Sequence, residues 1–381
     1  MALKASRRAA IDPFIVMEVM RAANERAASG GDVIHLEVGQ PSTPAPRKVR
    51  EAAQKALERD LIGYTDALGV PALRRRIAQH YREFYEVSVP YERIAVTTGS
   101  SGGFLLAFLA AFDPGDRVAL AAPGYPCYRH ILTALGLEPV LIETGPETKF
   151  QPTIAALEKL AKPIDGLIIA SPSNPVGALL GESDLTALAD WCVAKGVRLV
   201  SDEIYHGITY DAHAVTAAGR KEAIVINSFS KYFSMTGWRL GWMVLPDDLA
   251  QATERLLQNF FISAPTLSQL AGIAAFDAHD ELQGNVQRYA ANRALLLNDL
   301  PAAGFRHLIS TDGAFYIYAD ISDLTDDSLG FCRRMLAETG VAATPGIDFD
   351  PARGHHFMRF CFSGSTEDMA EAVKRLKAWR R

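Results

Sequence analysis

The chain of 381 residues contains only four cysteines, Cys127, Cys192, Cys332 and Cys361, and no two of them form a CxxC pair. This spacing argues against a zinc ribbon and against a disulfide framework. The histidine pair His355-His356 has no suitable third ligand nearby, so we predict no metal site. Sparse, unpaired cysteines favour a reducing compartment, and we expect a cytoplasmic protein.

Long hydrophobic runs and blocks of one charge are also missing. The longest stretch without a charge, Leu256–Phe276, contains a proline and several polar side chains that would be costly in lipid. We therefore predict no membrane span and interpret this stretch as a buried helix between two domains. A proline and two acidic residues interrupt the apolar run Ile11–Met20, which argues against a signal peptide. The basic clusters are short and the net charge is −5, so no nucleic-acid partner is expected.

Short apolar runs alternate with longer helical patterns through the middle of the chain. The predicted strands are Ile94–Thr97, Arg117–Ala121, Glu138–Ile142, Gly166–Ala170, Val197–Ser201, Ala223–Asn227 and Leu240–Leu245. Helical patterns at Phe104–Phe112, Tyr128–Leu135 and Leu185–Lys195 separate several of them. This alternation predicts an α/β fold with a mostly parallel central sheet sandwiched by helices. No clear helix precedes the last strand, which predicts that it runs antiparallel.

A second, smaller α+β domain is predicted from the two ends of the chain. Its strands are Ala314–Ala319, Val341–Ala343 and Met358–Cys361. The N-terminal helix Phe14–Ala28 and a strand near Ile34–Val38 have no place in the main sheet, so we expect them to pack with the C-terminal part. We predict a large domain at 46–280 and a small domain made of 1–45 plus 281–381.

Polar residues follow five of the predicted strands, where an open α/β sheet binds its ligands. The segments are Gly99-Ser100-Ser101-Gly102-Gly103, Pro123-Gly124-Tyr125, Ser171-Pro172-Ser173-Asn174-Pro175, Asp202-Glu203-Ile204-Tyr205 and Ser228-Phe229-Ser230-Lys231. Free N–H groups at a helix N-terminus can hold a phosphate, and a lysine can form an imine. A small, planar, phosphorylated ring that accepts electrons would use the whole set, with Asp202 beside a protonated ring nitrogen.

The run from Ser228 to Trp242, SFSKYFSMTGWRLGW, is highly specific. Through it the chain resembles the fold-type I pyridoxal-phosphate aminotransferases of class I/II, from Glu37–Pro41 to Met358–Phe362. The resemblance implies pyridoxal 5′-phosphate as cofactor and Lys231 as the lysine that holds it in a Schiff base. It also implies that Lys231 moves the substrate proton, while Asp202 keeps the pyridine nitrogen protonated.

The resemblance implies further cofactor contacts. Asn174 and Tyr205 match the two donors to the ring hydroxyl. The side chains of Ser228 and Arg239 match those that bind the phosphate, together with the backbone N–H groups of Ser100 and Ser101. Tyr125 resembles the aromatic residue that stacks on the ring, although a core tyrosine is a serious alternative.

The resemblance also bears on substrate and partner. Arg359 resembles the arginine that clamps the substrate α-carboxylate, with help from the Gly39 backbone and from Asn174. Tyr64 resembles the tyrosine that reaches the phosphate in the neighbouring subunit, which implies a homodimer with shared active sites. A plain turn tyrosine is the alternative for Tyr64.

We therefore predict a ping-pong transamination between an L-amino acid and a 2-oxo acid. A carbon–sulfur β-lyase on the same scaffold is an alternative, and so is a non-catalytic regulator, although the enzyme pattern begins too early to leave room for a DNA-binding domain. A nicotinamide dehydrogenase is disfavoured because the G-x-G-x-x-G fingerprint is missing. The absence of a lysine near Ser101 disfavours a dedicated aspartate enzyme. We expect residues near Ile11–Met20 and Phe260–Ile262 to line a pocket for apolar or aromatic donors.

Overall fold

The computed structural model describes residues 3–309 and 312–380. The helices are α1 (Ile15–Ala28), α2 (Arg47–Arg59), α3 (Pro71–Tyr85), α4 (Gly99–Ala111), α5 (Pro126–Leu135), α6 (Ile154–Leu157), α7 (Glu182–Lys195), α8 (Asp247–Phe260), α9 (Thr266–Gly272), α10 (His279–Asp299), α11 (Ser328–Thr339) and α12 (Thr366–Ala378). The strands are β1 (Ile34–His35), β2 (Ile94–Thr97), β3 (Arg117–Ala122), β4 (Glu138–Glu143), β5 (Gly166–Ala170), β6 (Arg198–Asp202), β7 (Ile224–Ser228), β8 (Gly241–Val244), β9 (His307–Ile309), β10 (Tyr316–Asp320), β11 (Val341–Ala342), β12 (Thr344–Pro345) and β13 (Phe357–Cys361).

A seven-stranded sheet with the order β2-β8-β7-β6-β5-β3-β4 forms the centre of the fold. The pairs β3–β4, β3–β5, β5–β6 and β6–β7 are parallel, which confirms the predicted sheet. Successive side chains of β5 enter different hydrophobic clusters: Leu167 and Ile169 pack with α3 and α7, and Ile168 packs with α4 and α8. The sheet is thus covered by helices on both faces, which explains the continuous apolar character of its strands.

Strand β8 runs antiparallel to both of its neighbours, β2 and β7, as predicted. Its first residue, Gly241, passes directly against the start of α4. A Cβ at this position would lie 2.9 Å from the Ser100 nitrogen and 2.8 Å from the Gly99 carbonyl carbon. Only glycine permits this approach, which brings the residues after β7 next to the N-terminus of α4.

Two smaller sheets lie outside the central one. The order β12-β13-β10-β9 forms an antiparallel sheet, and β1 pairs in parallel with β11. Helix α1 contacts β11 and β12, so the N-terminal helix and strand do pack with the C-terminal part of the chain. The division into 46–280 and the remainder stays a prediction.

The interpretation of Leu256–Phe276 as a single buried helix is wrong. Helix α8 ends at Phe260, a connection follows, and α9 begins at Thr266. Pro265 precedes α9 and Ile262 has a left-handed φ of 64°, both of which interrupt a helix. Among the described residues, no helix is long and apolar enough to cross a membrane.

Candidate active site

Lys231 lies three residues beyond the end of β7, at the carboxyl edge of the central sheet. Its Nζ donates a hydrogen bond of 2.5 Å to the Gly39 carbonyl oxygen and lies 5.9 Å from the centre of the Tyr205 ring. Burial, aided by the positive charges of Arg359 and Arg239, lowers the pKa of Lys231 to about 8. A much larger fraction of this amine is therefore neutral near pH 7 than of an exposed lysine, and a neutral amine is a nucleophile and a base.

Asp202 is the last residue of β6 and is buried. Its Oδ1 accepts a 3.0 Å hydrogen bond from the Ile204 backbone N–H, and its Oδ2 accepts one from the Tyr128 hydroxyl. Burial raises the pKa of Asp202 to about 6, while the hydrogen bonds and the charge of Lys231 oppose that rise. A buried carboxylate in this position would be stabilised further by a cation such as a protonated ring nitrogen.

Tyr205, Asn174 and Arg359 belong to one connected group of buried side chains. The Tyr205 hydroxyl is 2.5 Å from the hydroxyl of Tyr316, and Arg359 Nη1 donates a 2.8 Å hydrogen bond to Asn174 Oδ1. The Arg359 guanidinium lies 4.3 Å from the centre of the Tyr316 ring. Tyr316 therefore contacts both Tyr205, the predicted donor to the ring hydroxyl, and Arg359, the predicted carboxylate clamp.

Arg359 is 2% exposed, yet its hydrogen bonds do not involve Nε. Nη2 donates to the Glu37 carbonyl and, at 3.2 Å, to Thr344 Oγ1, but Nε has no partner among the described residues. A buried unpaired N–H of a guanidinium is costly. A ligand carboxylate could satisfy it, since the arginine fork matches carboxylate geometry.

The predicted phosphate contacts gather around the start of α4. A Cβ on Gly99 would lie 2.7 Å from Arg239 Nη2, so the exposed guanidinium of Arg239 lies against the helix N-terminus. The N–H groups of Ser100 and Ser101, in the first turn of α4, are free to hold an anion there. Ser228 Oγ is 3.0 Å from Ser230 Oγ and accepts a 3.1 Å hydrogen bond from the Ser230 N–H. Ser230, which has no assigned role, thus holds the Ser228 hydroxyl in place.

The two remaining predicted aromatic residues differ in position. Tyr125 makes edge contacts with Tyr128 and Phe14, at centroid distances of 5.2 and 5.8 Å, so it lies beside the Asp202 region. Tyr64, by contrast, is 84% exposed. Its predicted contact across a subunit boundary stays a prediction.

Two side chains in the site escaped the sequence analysis. Tyr128 lies in the first turn of α5, three residues after Tyr125, the residue that precedes this helix, and this nearness in sequence was a usable signal. Tyr316 lies on β10, 111 residues after the tyrosine that it contacts, and no local pattern points to that pairing. Tyr128 holds Asp202 by a hydrogen bond, and Tyr316 holds Tyr205 in the same way.

Replacing Tyr128 by phenylalanine is expected to raise the pKa of Asp202 above its value of about 6, because the hydroxyl that lowers it is lost. More Asp202 is then protonated near pH 7, and a neutral carboxyl holds a ring cation less well. We expect the acidic limb of the kcat/KM profile to move to higher pH and kcat/KM at pH 7 to fall about tenfold.

The measurement is a pair of pH profiles, for the parent protein and for Tyr128→Phe. Tyr318→Phe is a matched control, because Tyr318 is also buried but its hydroxyl has no partner among the described residues. An acidic limb that stays in place in Tyr128→Phe would contradict the assignment.

The family model for aminotransferases of class I and II matches residues 31–376. The chain belongs to this family. Its fold and its enzymatic class are therefore those predicted from the sequence: it is an aminotransferase of the fold-type I group.

Similar proteins extend over nearly the full chain. A valine–pyruvate aminotransferase of Mycobacterium tuberculosis is 51% identical over 377 residues, covering 98% of this chain and 97% of its own. The crystal structure of an aminotransferase from the same organism has a TM-score of 0.97 at 50% identity, with 99% of each chain covered. Aspartate aminotransferase from Thermus thermophilus with maleate gives 0.93 at 31% identity, covering 99% of this chain and 100% of that one.

The family uses pyridoxal phosphate, and the donor set around Lys231 fits that group. The helix N-terminus with Arg239 fits the phosphate, and Asp202 fits the ring nitrogen. Because its pKa is lowered to about 8, part of the Lys231 amine is uncharged near pH 7 and could bond to the aldehyde carbon of the cofactor. The unpaired Nε of Arg359 fits a substrate carboxylate rather than the cofactor.

Proposed function

We propose that this aminotransferase uses pyridoxal 5′-phosphate, held by Lys231, to move the amino group of a neutral L-amino acid to pyruvate or another 2-oxo acid. The observation that carries the proposal is the convergence of Lys231, Asp202 and Arg359, with its free Nε, at one edge of the sheet. These side chains supply a nucleophilic amine, a buried anion and a carboxylate clamp.

Each residue has a role that its contacts support. Lys231 Nζ would hold the cofactor's aldehyde carbon, and Asp202 would pair with its ring nitrogen. Tyr205 and Asn174 would hydrogen-bond the ring hydroxyl, and Tyr125 would stack on the ring. Ser228, Arg239 and the backbone N–H groups of Ser100 and Ser101 would hold the phosphate. When bound, the cofactor supplies an electron-accepting ring that stabilises negative charge at the substrate Cα.

Lys231 would act as the base that moves the substrate proton. With substrate bound, its Nζ would take the proton from the substrate Cα and would later give a proton back to the cofactor. The pKa of about 8 lies close to neutrality, where a general base works best. Arg359, helped by the Gly39 backbone, would hold the substrate α-carboxylate so that the Cα–H bond faces Nζ.

The substrate pair is proposed from chemistry and similarity together. A relative with 51% identity is a valine–pyruvate aminotransferase, whose donor and acceptor both lack a side-chain carboxylate. At Ser101, where aspartate-specific relatives were expected to carry a lysine, this chain has a small neutral residue. Phe14 makes an edge contact with Tyr125, which places a second apolar ring beside the proposed ring-stacking residue. These features favour valine and similar aliphatic donors.

The decisive experiment follows the absorption spectrum of the cofactor-loaded protein as single L-amino acids are added without any oxo acid. We expect valine to convert the bound pyridoxal form stoichiometrically to the pyridoxamine form, and pyruvate to reverse the change. A pyridoxal spectrum that returns unaided while ammonia and an oxo acid accumulate would instead show β-elimination, the lyase alternative.

A homodimer with shared sites is proposed from an exposed apolar surface. Leu61, Tyr64, Phe260 and Ile262 are 94%, 84%, 54% and 50% exposed. Their two segments are joined, because Thr266 Oγ1 donates a 2.5 Å hydrogen bond to the Gly63 carbonyl. An exposed apolar patch of this kind is typical of a subunit interface.

If Tyr64 serves the neighbouring subunit, two defective variants should complement each other. Tyr64→Ala and Lys231→Ala homodimers are each expected to be impaired. A hybrid dimer contains one site with both residues intact, so mixed and refolded variants should regain up to about a quarter of parent activity by random pairing. The measurement is activity against mixing ratio, with Lys231→Ala mixed with itself as control. Unmixed and mixed samples of equal activity would contradict a shared site.

We also propose a cytoplasmic location and the two-domain division at 46–280. All four cysteines are free, and burial raises the pKa of Cys192 to about 12, which keeps its thiol protonated and unreactive. Such thiols are typical of a reducing compartment.

A further inference from the structure

A cavity of about 780 Å³ lies beside the segments that carry the active-site residues, and the proposed function does not use it. Tyr232 and His206 line this cavity, and each directly follows a proposed cofactor residue, Lys231 and Tyr205 respectively. None of the residues assigned above to the cofactor or the substrate lines it. Its volume is within the range of small-molecule pockets, about 300–1,000 Å³.

His80, at the C-terminal end of α3, gives the cavity wall a buried polar atom without a partner. The residue is 6% exposed, and its Nδ1 has no hydrogen bond among the described residues. Burial lowers the pKa of His80 to about 3, aided by the charge of Arg76, so the ring is neutral at pH 7. A buried ring nitrogen without a partner costs free energy, and a ligand that hydrogen-bonds it would recover that cost.

Aromatic rings form much of the remaining wall. Phe84, Tyr85, Tyr232, Phe233 and Trp242 all line the cavity. Phe233 and Trp242 are buried, whereas Phe84 is 47% exposed, so the rings extend from the protein interior to solvent. The faces of such rings bind apolar groups and attract cations.

The charged side chains of the wall are carboxylates. Glu83 and Asp211 line the cavity, and no lysine or arginine is among the described residues that do so. Glu83 is paired with Arg76 at 3.2 Å, whereas Asp211 is exposed and forms no ion pair with any described residue. Asp211 is therefore available to a positively charged ligand.

We infer that this cavity is a second ligand site, for a small organic cation with an aromatic or apolar body. Its rings would contact the body and the cationic group, Asp211 would pair with the charge, and His80 would supply a hydrogen bond. The inference goes beyond the proposed function and does not rest on it, because such a ligand need be neither an amino donor nor an oxo acid. Binding at this site is therefore measurable without turnover.

The test is calorimetric titration of the cofactor-loaded protein with benzyltrimethylammonium. A quaternary ammonium cannot form an imine, so the heat does not report a reaction with the cofactor. Benzyl alcohol is the uncharged comparison, because it keeps the ring and lacks the positive charge. We expect one benzyltrimethylammonium to bind per chain, at least about fivefold more tightly than benzyl alcohol.

Two exposed positions of the cavity allow substitution without removing a core side chain. Phe84→Ala and Asp211→Asn are each expected to weaken the binding of benzyltrimethylammonium about two- to fivefold, the scale of one cation–π or surface charge contact. Asparagine also tolerates the left-handed φ of 54° at position 211, so the backbone is preserved. The matched controls are Val193→Ala and Asp184→Asn, which change an exposed apolar side chain and an exposed carboxylate outside the cavity.

Three results would each overturn the inference. No binding of benzyltrimethylammonium to the parent protein would show that the cavity is not a cation site. Equal affinity in the parent protein, Phe84→Ala and Asp211→Asn would place the bound cation elsewhere, the substrate site included. Benzyl alcohol that binds as tightly as the cation would show that charge plays no part. Weaker binding in both cavity variants and unchanged binding in both controls would support the site, whatever the donor specificity of the enzyme.

Discussion

Replacing Lys231 by alanine is expected to lower turnover at least about a thousandfold, because one amine both holds the cofactor and moves the substrate proton. The structure supports both roles. Nζ reaches into the site from the edge of the sheet and contacts the Gly39 carbonyl, and burial lowers its pKa to about 8. Lys231→Arg should be equally inactive, since a guanidinium stays protonated and cannot act as a nucleophile.

The measurement combines steady-state activity with borohydride reduction and intact-protein mass. The parent protein should gain the mass of one cofactor on reduction, and Lys231→Ala should gain none. Lys221→Ala is the matched control, an exposed lysine ten residues earlier, and it should keep full activity and full labelling. More than a tenth of parent turnover in Lys231→Ala would refute the central role of this lysine.

The sequence was sufficient to predict the central sheet and the residues that follow its strands. Strands that are buried on both faces appear in the sequence as short apolar runs. The end of β6 and the positions after β7 could therefore be found, and with them Asp202 and Lys231. The observed bounds of the central strands differ from the predicted ones by at most one residue at each end, as for Val197–Ser201 against Arg198–Asp202. The antiparallel β8 was predictable because no helical pattern separates it from β7.

What the sequence did not reveal depends on contacts between distant segments. Tyr316 meets Tyr205 across 111 residues, and Asp348 meets Val16 across 332. Nothing in the local pattern of β10, or of the turn after β12, indicates such partners. The error at Leu256–Phe276 has another cause. The prediction gave more weight to the lack of charged residues than to Pro265, which marks the break between α8 and α9.

These distant contacts change what the predicted residues can do. Asp202 alone would be a buried acid with a raised pKa, and the Tyr128 hydroxyl favours its charged form. Arg359 alone would be free to turn, but Asn174, Glu37 and Thr344 hold its guanidinium over the Tyr316 ring. The sequence motifs supply the reacting groups, and the partners from other segments supply their orientation and charge state.

Replacing Arg359 by glutamine is expected to lower kcat/KM for valine at least about thirtyfold, because the clamp for the α-carboxylate is lost. Truncating one partner of a buried charged pair costs roughly 2–5 kcal/mol, and each 1.4 kcal/mol is a factor of ten. Arg359→Lys should recover little, since a lysine keeps the charge but has no fork, and it leaves the Asn174 and Thr344 oxygens without their donor.

The sharpest readout compares valine with isobutylamine, the same donor without its carboxylate. The parent protein should strongly prefer valine, and Arg359→Gln should lose that preference while its activity on the amine changes only a few-fold. Arg353→Lys is the matched control, because Arg353 precedes β13 by a few residues but pairs with Asp350 and Glu143 outside the site. If Arg359→Gln lost activity equally on valine and on the amine, Arg359 would be orienting the site as a whole, and the carboxylate would have to be bound elsewhere.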